Sequence, residues 1–219
     1  MRAHGYVPNV ITFSAAISAC EKGGQWERAL SLLTEMRAQG VEPNVISFNA
    51  AISACDKGAQ WEHALELLKE MQARGLQPGE IAFSAAISAC AQREEWNKAH
   101  DLYAAAVSLK ALPQMDENGK FDLHELNGPV ARVAVAWTLE RLARGELPLL
   151  DSGLKIVTGQ GKHSHLSNTA GGAVIKPQVE AMLASATYAG LGAHEDGSNT
   201  GRLVVSAASL RAWIAARRS

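Results

Sequence analysis

The feature that most constrains this chain is a period. Pro8, Pro43 and Pro78 lie 35 residues apart, as do Cys20, Cys55 and Cys90, and Trp26, Trp61 and Trp96. The phrase SAAISAC, Ser14 to Cys20, returns unchanged from Ser84 to Cys90, and NAAISAC stands between them from Asn49 to Cys55. A fixed step of this length points to a solenoid, whose units bury their apolar faces only against their neighbours. Met1, Met36 and Met71 keep the step, and MRAHGYVPNV aligns with MRAQGVEPNV, the tail of a unit. The phase predicts a chain that opens inside a repeat, as a piece of a longer protein would.

Each unit reads as two helices. Val10, Phe13, Ile17 and Cys20 follow one another at steps of 3, 4 and 3, which is one face of an α-helix. Pro8 precedes that helix, where a missing N–H costs little. The second helix carries Trp26, Ala29, Leu30, Leu33 and Met36 on one stripe and ends at Gly40, a natural residue beyond a helix C-terminus. Trp61, Ala64, Leu65, Leu68, Met71 and Gly75 repeat the pattern. The three cysteines, one per unit and without CxxC or Cys/His metal spacing, read as small buried hydrophobes suited to a reducing compartment.

Composition excludes several classes. No apolar run approaches the roughly 18 residues that span a bilayer. The formal net charge of −1 gives no global basic field to drive indiscriminate nucleic-acid binding. Residues 1–115 hold 10 basic against 12 acidic side chains, so the solenoid would bind RNA only through locally arranged groups. A helical scaffold holding a protein partner is the alternative from another class.

A 35-residue helical hairpin with PNVITFS or PNVISFN entering the first helix and WERALSLLTEMRAQG forming the second resembles the pentatricopeptide (PPR) family. The tetratricopeptide repeat, with a 34-residue step and its Trp in the first helix, fits less well. The resemblance covers residues 1–114, a partial repeat at 1–8 followed by about three repeats. It implies an α-solenoid that reads single-stranded RNA one base per repeat, through a polar residue early in the first helix and the last residue of the unit. By that resemblance the pairs are Ser14 with Asn44, Asn49 with Gly79, and Ser84 with Gln114, while Asn9 completes a pair with a repeat upstream. Ser with Asn is similar to the family's adenine-favouring combination, and Asn49 with Gly79 departs from its usual Asn–Asp pair.

After Pro113 the period stops. Residues 115–120 contain the turn-rich DENGK and read as a linker, and residues 121–219 read as a small α/β sandwich. The expected elements are a strand over FDLHEL, a helix over Val130–Arg144, a strand over Leu154–Thr158, and a helix over roughly Ala173–Ala186. Strand-like runs around Tyr188–Glu195 and Arg202–Val205 follow, then a terminal helix near Leu210–Arg217. Residues His194–Arg202 between those runs read as a mobile hairpin loop.

Two stretches could carry chemistry. Asp122 and His124, two apart on a strand, would project from one face while Leu123 points to the core. A carboxylate beside an imidazole suits acid–base work or a shared metal, although most such pairs are surface hydrogen bonds. The second stretch is TGQGKHS, Thr158 to Ser164. Gly159 and Gly161 would let the backbone approach a ligand, and Lys162, His163 and Ser164 add donors for phosphate oxygens. It has neither Walker nor GxGxxG spacing, and the bland reading is a Gly-rich turn. Trp137 and Trp213 read as core anchors of their helices. His63, His100, His165 and His194 read as surface or capping residues, and Arg211, Arg217 and Arg218 as a solvated helix end.

Together, the two stretches resemble the small MutS-related (SMR) domain, with an LDxHG-like first motif and TGxGxHS as the second. Here Phe121 replaces the leucine and Glu125 the glycine of the first motif. The order PPR then SMR is similar to the PPR–SMR class of organellar RNA-binding proteins. That resemblance implies an endonuclease or an RNA clamp in a plastid or mitochondrion, with single-stranded RNA, and DNA as a further substrate, as partner. It casts Asp122, His124, Lys162 and His163 as catalytic and Gly159, Gly161 and Ser164 as phosphate-holding. It also allows a divalent metal such as Mg2+, with Asp122 as one oxygen ligand.

Overall fold

The computed structural model describes residues 7–159, 175–197 and 199–218. The chain divides into two compact units, Met1–Ala111 and Leu112–Ser219. The first holds three helical hairpins: α1 (Val10–Lys22) with α2 (Trp26–Ala38), α3 (Val45–Lys57) with α4 (Trp61–Ala73), and α5 (Glu80–Gln92) with α6 (Trp96–Ser108). Every one of these helices is 13 residues long. The first helices α1, α3 and α5 pack side by side, and α2 and α4 each pack on their own first helix and on the next one.

Local sequence explains the starts and turns. Asn9 and Asn44 are N-caps whose side-chain oxygens accept from the backbone N–H of Thr12 and Ser47, each at 3.0 Å. Gly79 occupies the third N-cap and offers no side-chain oxygen. The turn inside each hairpin uses a left-handed residue, Gly24 at φ +66, Ala59 at φ 50 and Glu94 at φ 60. The turn between hairpins does the same with Gly40 at φ +70, Gly75 at φ +74 and Lys110 at φ 57. The first copy uses glycine in both places, the second in one and the third in neither, so Ala59, Glu94 and Lys110 hold a conformation that disfavours them.

The periodic stripes form the core. Phe13, Ile17, Ala29, Leu33 and Met36 are buried, as are Phe48, Ile52, Cys55, Leu68 and Met71. Cys20 is only half-buried, because α1 has a stacked first helix on one side alone among the described residues. Successive hairpins are also clamped by side chains. The Trp26 ring lies 5.6 Å from that of His63, and Lys98 Nζ sits 4.4 Å over the Trp61 ring. His63 is thus a packing residue and not the surface or cap residue expected. Arg37 pairs with Glu70 at 2.5 Å, and Arg74 reaches both Glu42 at 2.7 Å and Glu70 at 2.8 Å.

The second unit contains β1 (Lys120–Asp122), α7 (Gly128–Arg144), β2 (Leu154–Val157), α8 (Ile175–Leu183), a 3-10 turn (Ala186–Tyr188), β3 (His194–Asp196), β4 (Asn199–Val205) and α9 (Ala207–Arg218). The strands form one mixed sheet in the order β1-β2-β4-β3, with β1 parallel to β2 and the other pairs antiparallel. Phe121, Ile156 and Leu203 share one row of the sheet and are all buried. Asn127 caps α7 by accepting from Val130 N–H at 2.9 Å, and left-handed Gly145 ends it.

Several expectations are corrected here, although DENGK does form the expected turn: Asp116 Oδ1 accepts from the N–H of Asn118 and Lys120 at 2.9 and 2.8 Å. A Cβ on left-handed Gly119 would stand 2.4 Å from the Gly153 carbonyl oxygen, so that turn is seated against the segment before β2. The first strand stops at Asp122 because Leu126 N–H turns back to the Leu123 carbonyl at 3.0 Å. The run from Tyr188 is mostly turn, with left-handed Gly190 and Gly192, and pairs only from His194. The 194–202 segment is largely two paired strands, not a loop. Trp137 is half-exposed under Arg141, 4.7 Å from its ring, instead of in the core. Trp213 is buried as expected, stacked on Tyr188 at 6.0 Å.

Candidate nucleic-acid interface

The stacked first helices present a row that the apolar stripe does not predict. Ile11, Ile46 and Ile81 are 74%, 61% and 59% exposed and recur at the 35-residue step. Each lies three residues before a pairing residue, Ser14, Asn49 or Ser84, and residues three apart on a helix share a face. Sequence reasoning missed these isoleucines. The signal was an apolar letter beside the stripe of Val10, Phe13 and Ile17, repeated three times.

The pairing residues are not equally placed. Ser14 is 6% exposed, and its hydroxyl lies 2.9 Å from that of Ser47 on the next hairpin. Asn44 is half-buried at the N-cap of α3. Asn49 is half-buried, and its Oδ1 is buried without a hydrogen-bond partner among the described residues. Gly79 is exposed, and a Cβ there would meet nothing within 4 Å. Ser84 is half-buried, but Gln114 is exposed in an irregular segment with no helix behind it to cap.

Charge around the row is sparse. No acidic residue occupies the first turn of α1 or α3, and Glu80 alone occupies that of α5. The thiols contribute no nucleophile: burial, helped by Asp56, pushes Cys55 up to about 12, and burial pushes Cys90 up to about 11.

In the second unit the two candidate stretches converge. β1 and β2 run parallel with Asp122 opposite Val157, which brings Gly159 beside His124; a Cβ on that left-handed glycine would stand 3.2 Å from His124 Cβ. Asp122 Oδ1 and His124 Nδ1 are 2.6 Å apart although His124 has left the strand, and Lys120 Nζ is 3.1 Å from Asp122 Oδ2. Burial pushes the Asp122 carboxyl up, but hydrogen bonds from His124 and Lys120 outweigh it and hold the group below its usual value. The carboxylate accepts the Nδ1 proton and leaves Nε2 as the outward nitrogen. Glu125 stands 3.6 Å from that Nε2, and its φ is not in the left-handed region, so the backbone there does not demand glycine. Lys162, His163, Ser164 and Gly161 lie outside the described residues, as does His165. Arg202, which sequence reasoning passed over, stands opposite Val157 in the same row as Asp122 and pairs with Asp196 at 3.0 Å.

Among the described residues no group of three His, Cys, Asp or Glu side chains could hold a metal ion. No helix is long and apolar enough to cross a membrane among them.

Comparison with known proteins bears on the first unit. Residues 8–57 and 43–92 match the PPR repeat family. No curated protein sequence matches the chain. Among solved structures, PPR10 from maize is similar at 24% identity with a TM-score of 0.52, covering 67% of this chain and 21% of that one. The PPR domain of Arabidopsis thaliana protein-only RNase P 1 (PRORP1), solved in complex with tRNA, is similar at 19% identity with a TM-score of 0.51, covering 69% and 79%. PPR10 solved with an 18-nt psaJ RNA element is 20% identical with a TM-score of 0.47, and the match spans 67% of this chain and only 20% of that one. These likenesses concern the helical repeat fold.

Proposed function

We propose that this chain is an RNA-binding protein whose PPR repeats take single-stranded RNA along the stacked first helices. The observation that carries this reading is the row Ile11, Ile46 and Ile81, exposed one turn before Ser14, Asn49 and Ser84. Apolar side chains repeated at hairpin spacing suit van der Waals contact with the faces of unstacked bases, and the polar residue beside each suits a base edge. The tRNA complex of the similar PRORP1 domain is in keeping with it.

The second unit, on this reading, is an SMR-type domain that cuts or clamps the strand. Asp122 holds His124 with Nε2 outward, where it can take a proton from an attacking hydroxyl or give one to a leaving oxygen. Lys162 and His163 would offset charge on the phosphate, and Gly159, Gly161 and Ser164 would hold it. A divalent cation such as Mg2+ fits the described donors poorly, because both Asp122 oxygens already face cationic or proton-donating groups, His124 and Lys120. Glu125 beside His124 Nε2 sets a negative charge where a phosphate would approach, which counts against cutting at that atom. A plastid or mitochondrial setting, and DNA as a second substrate, go with the PPR–SMR resemblance.

Fluorescence anisotropy of labelled short RNAs at increasing salt tests the reading. Binding that weakens steeply with salt, and several-fold when Ile46 becomes Ser, is expected. Binding absent at every salt would point to a protein scaffold instead. Gel analysis of the same RNAs, with Asp122→Ala and Lys162→Ala alongside, separates cutting from clamping.

A further inference from the structure

We infer that Ser47 fixes the hydrogen-bonding polarity of the Ser14–Asn44 pair and so determines base specificity at the first reading position. This inference rests on the RNA-reading role proposed above.

The proton count around Ser47 closes without freedom. The Asn44 atom that accepts from the backbone N–H of Ser47 at 3.0 Å must be the amide oxygen, since an N–H can only donate. Ser47 Oγ lies 2.9 Å from that same oxygen, so the single Ser47 hydroxyl proton goes there. Ser47 Oγ also accepts from the Asn44 backbone N–H at 3.3 Å. The remaining contact, Ser14 Oγ to Ser47 Oγ at 2.9 Å, must then be donated by Ser14. Ser14 is left with lone pairs only, an acceptor. Asn44 has its oxygen filled twice and is left with the N–H bonds of Nδ2, a donor.

A pair held as one acceptor and one donor tells an amino-bearing base edge from a keto-bearing one, because the two edges carry donor and acceptor in opposite places. A free hydroxyl or a free amide could rotate to satisfy either.

The next interface provides the contrast. The position equivalent to Ser47 is Ala82, and that equivalent to Asn44 is Gly79. Asn49, which replaces Ser14, has its Oδ1 buried with no partner among the described residues. No hydrogen bond to that oxygen fixes the amide as one to Asn44 Oδ1 does, so the second position is expected to discriminate less. Thr12 occupies the same place one unit earlier and also donates to its cap, Asn9 Oδ1, at 3.1 Å, which shows that threonine is accepted there.

The test uses the full chain and fluorescein-labelled single-stranded RNA pentamers that vary one base at a time. Wild type is expected to discriminate among the four bases at one position by about fivefold or more, the scale of a good polar pair. Ser47→Ala should compress that spread to about twofold while its best affinity stays within about threefold, Ser47→Thr should keep it, and Gly79→Asn combined with Ala82→Ser should create a spread at the neighbouring position. A spread unchanged in Ser47→Ala, or lost equally in Ser47→Thr, overturns the inference while leaving RNA binding intact. Should Ser47→Ala not fold, Gly79→Asn combined with Ala82→Ser decides, and no new discrimination there overturns it. No binding by wild type overturns this inference together with the reading beneath it.

Discussion

The indole of Trp26 occupies the space that a side chain on Gly58 would need: a Cβ there would stand 2.4 Å from Trp26 Cδ1 and 2.8 Å from Cγ. The contact joins the second helix of one hairpin to the end of the first helix of the next, so it is part of what stacks the units. Gly58 has an ordinary φ of −88, and the restriction is one of space alone. Gly58→Ala should destabilise the first unit by about 1–3 kcal/mol through overpacking against a rigid ring. Gly23→Ala, whose Cβ would meet nothing nearer than 3.5 Å, should change stability by less than about 0.5 kcal/mol. Urea denaturation followed by far-UV circular dichroism checks both, and equal effects would mean that the Trp26 contact does not matter.

Ala59 and Glu94 should respond to glycine in the opposite direction. Both hold a positive φ at the place where the first hairpin uses Gly24. Ala59→Gly and Glu94→Gly should each raise stability by about 0.5–1 kcal/mol, since a left-handed β-carbon-bearing residue is strained by that order. The same denaturation series reads it.

The solenoid should be more stable in mild acid than its charge suggests. Burial raises the Asp56 carboxyl from 3.8 to about 6, partly offset by hydrogen bonds from Ser88 and Gln92. The folded state binds that proton more tightly than the unfolded state, so this contribution is complete below about pH 4 and is lost as pH rises through about 6. The total is on the order of 1–3 kcal/mol. Subtracting the Asp56→Asn stability curve from that of wild type between pH 3.5 and 7.5, roughly the window in which these groups titrate, should show a falling slope. A flat difference would place the carboxyl in water.

Glu125 should act as a local repellent. Replacing it by glycine removes the carboxylate 3.6 Å from His124 Nε2 without demanding a new backbone conformation. Affinity for RNA should rise by about two- to fivefold at low salt, with the gain fading as salt screens the charge. An unchanged affinity at low salt would put the strand elsewhere on the unit.

The hairpins were legible because each is stated three times. Phe13, Phe48 and Phe83, or Met36 and Met71, confirm one another in a way no single helix could, and all are buried. What escaped was set by partners distant in sequence. The burial of Ser14 depends on Ser47, 33 residues on, and no local pattern distinguishes that from an exposed serine. In the second unit, strand lengths depend on where a neighbour stops pairing. FDLHEL reads as a six-residue strand, but β2 accompanies it only as far as Asp122, with one further backbone bond from Leu123 to Val157. The convergence of Asp122 and His124 with Gly159 was legible only as motif order, and parallel pairing of β1 with β2 is its physical cause.

On the RNA-reading proposal, a pairing site formed by Ser14 and Asn44 belongs to the junction of two hairpins and to neither alone, and the three hairpins of the first unit hold two such junctions. Three hairpins thus spell two letters, of which the second is loosely written. A word of two letters recurs by chance about once in every sixteen nucleotides. Information on that scale cannot pick out one transcript, but it can set the phase in which a strand enters, so on the RNA-reading proposal these hairpins would fix register more than serve as an address.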